Sequence, residues 1–241
     1  GVGRFILVDP DVVERSNLSR VVGAVASDAT SETPKVEVAR RVILQANAAA
    51  HVAMVQDDVA KDSVARQLTS VDYVFLAADS MRSRLVFNAL VHQYLIPGVQ
   101  MGSKIRVGSD GSITDVMSAN RPVRPGLGCL WCNQLIDSTA LATEAKTDDE
   151  RKEQAYGVQE PNPSVIALNA ISAAHAVNDF MLDFLGLRGE AGTLEFEHFH
   201  FGPSRRVSRV QPRRDSDCSE CALVGRRYAR ADGVPLPTIE G

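Results

Sequence analysis

Several things are missing from this 241-residue chain. No apolar run approaches the length of a membrane span. No strong charge of one sign is present: 26 lysines and arginines oppose 30 acids, for a net charge of -4. That balance argues against a broad nucleic-acid or membrane-surface patch, although Arg205, Arg206, Arg209, Arg213 and Arg214 form a local basic cluster. There is no fifth cysteine and no visible signal peptide. The chain opens on Gly1 instead of Met, and is read as a fragment or trimmed chain, cytoplasmic by default. What is present, 44% hydrophobic and 23% charged residues, suits one large α/β domain or one domain with an appendage.

The most informative stretch is Arg4 to Arg20, RFILVDPDVVERSNLSR. Phe5 to Val8 reads as a buried strand of a parallel sheet. Asp9 ends it, and Pro10 forbids a further ladder hydrogen bond. The loop that follows carries Asp11, Glu14, Arg15, Ser16, Asn17 and Arg20. Ligands of open α/β sheets bind beyond the carboxyl ends of strands. An acid there suits ribose hydroxyls, and an arginine fork suits phosphate. Taken alone, the segment is equally a strand followed by a solvated charged loop.

Later segments repeat the pattern. Val21 to Ala26 reads as a short strand or helical turn, and Ser27 to Ser31 as a turn-rich break. Pro34 opens a helix with apolar positions Val36, Ala39, Val42, Ile43 and Ala46. Lys35 then opposes the helix dipole, a conflict tolerated where the charge has a task; otherwise it is a surface lysine. His51 to Gln56 and Asp72 to Ala78 read as strands, with a short helix over Val59 to Leu68. The second of these strands ends at Asp79-Ser80 before a helix over Arg82 to Tyr94. Asp79 either holds a nucleotide hydroxyl or a metal-bound phosphate, or caps the helix. Pro97 to Gly102 is a further strand, and Lys104 to Val116 a hairpin around a Gly/Asp turn, so a parallel half gives way to an antiparallel one.

Thr143 to Pro161 reads as a mobile or crossover segment. A helix opens at Asn162-Pro163 and runs to about Leu185, with Val165, Leu168, Ile171, Ala174, Val177, Met181 and Phe184 as its apolar face. Thr193 to Phe201 alternates as a strand placing His198 and His200 on one face; an H-x-H pair can bind metal, but no third ligand is suggested nearby. Val207 to Val210 pairs back. Cys129-x-x-Cys132 and Cys218-x-x-Cys221 favour a closed structural zinc site over disulfides.

In this order the motifs resemble the ThiF/MoeB/HesA family, prokaryotic relatives of ubiquitin-activating E1 enzymes. The family's D-x-D-x-V-x-x-S-N-L-x-R is matched by Asp9 through Arg20, its P-K-V-x-x-A by Pro34 through Ala39, its strand-tip acid by Asp79-Ser80, and its tetracysteine zinc by the two cysteine pairs. The resemblance covers Gly3 to Cys221, implying a domain over 1–221 and a tail over 222–241. It implies an α/β, Rossmann-like mixed sheet flanked by helices. It also implies an ATP-dependent adenylyltransferase, a transferase acting on the C-terminal glycine carboxylate of a ubiquitin-like or sulfur-carrier protein. By similarity Asp9 holds the ribose, with Asp11 beside it. Ser16, Asn17 and Arg20 line the triphosphate, Lys35 contacts phosphate, and Asp79 positions Mg²⁺ with Ser80 next to it. The cofactors implied are ATP, Mg²⁺ and a structural Zn²⁺; the partners are the carrier protein and a second copy in a homodimer, with neither nucleic acid nor membrane.

Two departures qualify the resemblance. The glycine-rich G-x-G-G-x-G turn is absent and is expected upstream of Gly1. No cysteine is left over for a thioester once four serve the metal. A non-catalytic partner-binding subunit is therefore one alternative. An NAD-dependent oxidoreductase is another, but it gives Lys35, the Ser16-Asn17-Leu18 loop and the cysteine pairs no role.

Overall fold

The computed structural model describes residues 1–145, 165–187, 194–202 and 205–239. These form two compact units, residues 1–68 with the C-terminal residues from 238, and Thr69–Pro237.

In the first unit, β1 (Arg4–Val8) and β2 (His51–Val55) pair in parallel, Arg4 opposite His51 and Val8 opposite Val55. The connection holds a 3-10 turn (Arg15–Asn17), α1 (Ala26–Thr30) and α2 (Lys35–Ala46); α3 (Asp62–Ala65) follows β2. The expected full burial of β1 is not met: Arg4 is exposed and Phe5 to Val8 are half-buried, because β2 is the strand's one neighbour among the described residues. The expected break at Ser27 to Ser31 is instead α1. Asp28 makes the difference, since its carboxylate accepts from the Val25 amide at 2.8 Å and so caps the helix.

The second unit is a five-stranded sheet in the order β3-β4-β5-β6-β7. β3 (Val74–Leu76) runs parallel to β4 (Gly98–Val107), and α4 (Met81–Gln93) makes the crossover. β5 (Ile113–Val123), β6 (Phe196–His200) and β7 (Arg206–Val210) continue antiparallel. The change from parallel to antiparallel pairing at the 108–112 turn is as the sequence indicates. Leu76, Phe87, Val91, Val123, Leu130 and Ile136 form one core cluster. At Gly98 a Cβ would lie 2.5 Å from the Val74 carbonyl and 2.7 Å from the Phe87 ring, so only glycine lets β4 start against β3 and α4.

α5 covers Ser138–Glu144 and α6 covers Ile166–Phe184. The helix opening at Asn162-Pro163 and most of the 143–161 segment lie outside the described residues. The face of α6 differs from the apolar stripe read above. Leu168, Ser172 and Ala176 are buried, whereas Val177, Met181 and Phe184 are exposed. Hydrogen bonds set this rotation: Ser118 Oγ donates to Leu168 O at 2.7 Å and Ser172 Oγ donates to Ala119 O at 2.6 Å. Asn120, buried on β5, donates to Asp179, and Arg124 pairs with Asp183. Leaving those sheet groups unpaired is the larger penalty, and apolar side chains of the expected face, Val165 among them, stay exposed instead.

Residues 222–237 carry one 3-10 turn (Ala231–Gly233) but are anchored by a buried pair. Arg227 donates to Gln93 Oε1 at 2.8 Å, and Gln93 Nε2 donates to the carbonyls of Ala231 and Val234. Beside Gln93, His92 is fully buried and neither ring nitrogen has a hydrogen-bond partner among the described residues. Burial lowers its pKa from 6.5 to about 4. The folded value lies below the unfolded one, so the neutral ring's contribution is complete above pH 6.5 and declines as pH falls through about 4. The loss amounts to roughly 3 kcal/mol. Denaturant unfolding across this range is expected to show a flatter acid limb in His92→Leu than in the natural sequence; equal slopes would exclude His92 as its source.

Candidate nucleotide cleft and tetrathiolate cluster

The loop after β1 is laced to the start of α2. Val13 N donates to Thr33 O at 2.8 Å, Lys35 N donates to Asp11 O at 3.0 Å, and Val12 bridges Pro34. This folds Asp11, Asn17, Arg20 and Lys35 around one cleft of about 370 Å³. Lys35 Nζ pairs with Asp11 Oδ2 at 2.6 Å, so the lysine that opposes its helix dipole is met by a carboxylate 24 residues earlier. Among the described residues, no carboxylate pairs with the Arg20 guanidinium. Both cations thus reach the cleft, one of them shared with Asp11. Glu14 also lines it.

The remaining strand-tip residues are placed less directly. Asp9 is half-buried beside the cleft and accepts from the Asp11 amide at 2.9 Å. Burial raises its pKa, opposed first by that amide and then by Lys35. Ser16 is exposed and donates to Glu14 at 3.2 Å; buried Asn17 donates to Ser16 Oγ at 3.1 Å and accepts from the Glu14 amide. These bonds stabilise the Arg15–Asn17 turn that aims Arg20.

Asp79 and Ser80 belong to the second unit. Ser80, not Asp79, caps α4, accepting from the Ser83 amide at 3.1 Å. That leaves the Asp79 carboxylate exposed and outside the cap. Glu144, which the sequence reading passed over, seats its carboxylate on the first two amides of α4: Met81 N at 2.7 Å and Arg82 N at 3.0 Å. A carboxylate there satisfies orphan donors and meets the positive end of the helix dipole. Arg84 is close by; burial lowers its pKa, while Asp79 and Glu144 oppose that shift. No sequence spacing marks Glu144, because its contact spans 63 residues.

The four cysteines converge in the second unit. Their sulfurs all lie within 4.8 Å of one another, and Sγ to Sγ distances are 3.5 Å for Cys129–Cys132, 3.7 Å for Cys129–Cys218 and 3.6 Å for Cys132–Cys221. Four thiolates bound tetrahedrally at about 2.3 Å sit roughly 3.8 Å apart, so the donor set can hold a metal ion. Cys129 and Cys221 are buried. A hydrogen bond to Cys221 and then burial push the Cys129 thiol up, while the same contact lowers the Cys221 thiol. Two further residues, unmarked in the sequence reading, lock the cluster. Asn133 Nδ2 donates to Cys129 O at 2.8 Å and Arg213 O at 3.1 Å, and its Oδ1 accepts from Arg213 N. Gly128 admits the Arg213 carbonyl, which a Cβ would meet at 2.0 Å.

A cleft holding two cations and two carboxylates after a parallel strand, with four cysteines gathered from loops that follow an antiparallel half-sheet, defines a Rossmann-like α/β protein able to hold a metal. The chain belongs to the ThiF family, whose model matches residues 1–220. It is 39% identical over 88 residues to the SAMP-activating enzyme E1 of Haloferax volcanii, covering 36% of this chain and 32% of that protein. It is 29% identical over 141 residues to the sulfur carrier protein ThiS adenylyltransferase of Bacillus subtilis, covering 58% of this chain and 39% of that one. The chain therefore matches about a third of the length of these relatives. The crystal structure of E. coli MccB with ATP superposes with a TM-score of 0.67 at 18% identity, over 92% of this chain and 60% of that one. That of PaaA gives 0.58 at 14%, over 87% and 72%. At these identities the structural likeness establishes the fold.

The loop that presents Arg20 is held by Asp28, which is buried and paired with Arg41 at 2.6 Å. The Arg41 hydrogen bond, then the Val25 amide, lower the Asp28 pKa from 3.8 to about 2. This stabilisation is present above pH 3.8 and is lost as pH falls through about 2. Asp28→Asn is expected to melt lower than the natural sequence at neutral pH and to converge with it towards pH 2, with faster amide exchange in α1; parallel melting curves at all pH values would contradict the assignment.

Proposed function

We propose that this protein activates the C-terminal glycine carboxylate of a ubiquitin-like or sulfur-carrier protein by adenylation. ATP is the co-substrate: the carboxylate attacks the α-phosphorus, an acyl-adenylate forms, and pyrophosphate leaves. The observation that carries the reading is the pair Arg20 and Lys35 in one cleft behind a strand-tip acid, in a chain of the ThiF family. The names of the two curated relatives, a SAMP-activating enzyme and a ThiS adenylyltransferase, point the same way. So does the ATP complex of MccB.

Each side chain has a task in this scheme. Asp9 accepts from the ribose hydroxyls, with Asp11 beside it. Arg20 lies at the triphosphate as a planar fork, and Lys35 moves from Asp11 to phosphate as a compact charge. Ser16 and Asn17 keep the turn in register with the phosphates. Asp79, exposed at the tip of β3, offers a carboxylate to Mg²⁺, and Ser80 holds the start of α4 beneath it. Magnesium, when bound, neutralises phosphate charge and orients the leaving group. The chain contributes positioning and charge, so no protein nucleophile is required. The four cysteines hold a closed structural zinc, and no thioester forms on this protein. It works in the cytoplasm as a homodimer. A partner-binding subunit without turnover is the second reading.

ATP–pyrophosphate exchange on the full-length protein with a carrier ending in glycine separates the two readings. Exchange is expected, and Arg20→Ala and Lys35→Ala should each lower it by about a hundredfold or more. Carrier binding without exchange would establish the non-catalytic reading. Separately, Cys129→Ser is expected to lose zinc and loosen the C-terminal segment while nucleotide binding persists; unchanged zinc content would sink the tetrathiolate assignment.

A further inference from the structure

Two features of the sequence are left over by the adenylation scheme: the His198-x-His200 pair and the arginine cluster after it. The structure puts part of both on one surface. Strand register places His198 opposite Ser208 and Ala119, and His200 opposite Arg206 and Met117. The other side chains of β6 point the opposite way, where His175 of α6 stacks on Phe199 at 4.2 Å and faces Glu197. Arg209 is also on that side and is neutralised by Glu197 at 3.0 Å. The sheet face away from α6 thus keeps Arg106, His198, His200 and Arg206, which line a groove of about 620 Å³.

Two arginines face one carboxylate among its lining residues, and Asp115 lies opposite Arg106 in the β4–β5 register. Arg106 and Arg206 are exposed, and neither has an ion pair among the described residues. The groove's one carboxylate, Asp115, is turned to His200 Nδ1 at 3.7 Å, and the other ring nitrogen lies 3.2 Å from Ser208 Oγ. Burial, then Arg121 and His200, lower His198 to about 4, so it is neutral at physiological pH and available for hydrogen bonding. Among the described residues no Phe, Tyr or Trp lines the groove, and so none there offers the stacking platform that single-stranded nucleic acid uses.

We propose that this sheet face docks an acidic, extended polypeptide segment of a partner protein, held by Arg106 on β4 and Arg206 on β7, with His200 on an intervening strand and Ser208 beside Arg206 on β7. Two arginine forks separated by hydrogen-bonding groups match carboxylates spaced along an extended chain. The inference rests on the adenylation reading only in taking that partner to be the protein whose carboxylate is activated; the docking itself needs no ATP.

The test is fluorescence anisotropy of the full-length protein without nucleotide, using three labelled probes. Two are peptides of equal length ending in Gly-Gly, one with a run of glutamates and one with glutamines in their place. The third is a single-stranded oligonucleotide. At low salt the glutamate peptide is expected to bind about tenfold or more tightly than the glutamine peptide. The preference should vanish in Arg106→Glu/Arg206→Glu and shrink in the milder Arg106→Gln/Arg206→Gln, while Arg209→Gln, on the opposite face, retains it. Circular dichroism checks that each variant is folded. Equal binding of the two peptides, a preference that survives both double variants, or tighter binding of the oligonucleotide would each overturn the proposal. Pyrophosphate exchange is measured apart from these titrations, so failure of the docking face and failure of the adenylation reading are distinct results.

Discussion

The second unit depends on four sulfurs meeting. Cys129 and Cys218 are 89 residues apart, as are Cys132 and Cys221, and their convergence closes a loop that contains α5, α6, β6 and β7. Closing so long a loop has an entropic cost, and it must be offset by interactions at the closure point. The neighbourhood is built accordingly. Asn133 binds the backbone on both sides of the junction, Gly128 removes the Cβ that would block Arg213, and Leu130 belongs to the main hydrophobic core. The cluster thus joins the metal-competent donors directly to the packing of α4 and β5.

The same economy governs polar groups elsewhere in that unit. α6 does not turn its most apolar stripe to the sheet; it turns the residues that satisfy Ser118, Asn120 and Arg124. Gln93 and Arg227, both buried, hold an otherwise irregular segment by carbonyl contacts. Glu144 closes the start of α4. In each case a buried donor or acceptor without a partner is the larger penalty, and apolar exposure is accepted to avoid it. At His92 neither ring nitrogen is paired among the described residues, and burial of the ring makes it an acid-sensitive point of the core.

In the first unit, function and local structure are hard to separate. The bond between Lys35 and Asp11 stabilises the junction of loop and helix, and it also holds a cation at the cleft. Ser16 and Asn17 spend their hydrogen bonds on the turn itself. Arg20 alone among these residues reaches the cleft with no carboxylate partner among the described residues. Positioning chemistry needs groups that are held before substrate arrives, and these short-range contacts supply that.

The sequence by itself determined the ordered motifs: a strand ending in Asp9-Pro10, a helix opening at Pro34-Lys35, Asp79 beyond a third strand, a hairpin after it, and two cysteine pairs. These are local signals, because strand period, proline geometry and cap chemistry act over a few residues. The family followed from their order. The tertiary structure decided what depends on distant partners. It chose which face of α6 is buried, made a helix of Ser27 to Thr30 through Asp28, matched Lys35 with Asp11, seated Glu144 on α4, and gathered Arg106, His200 and Arg206 on one sheet face. Contacts across 24, 63 or 89 residues leave no periodic trace in the chain; only folding pairs those groups, and it does so to satisfy charge and hydrogen bonds that the sequence carries without addressing.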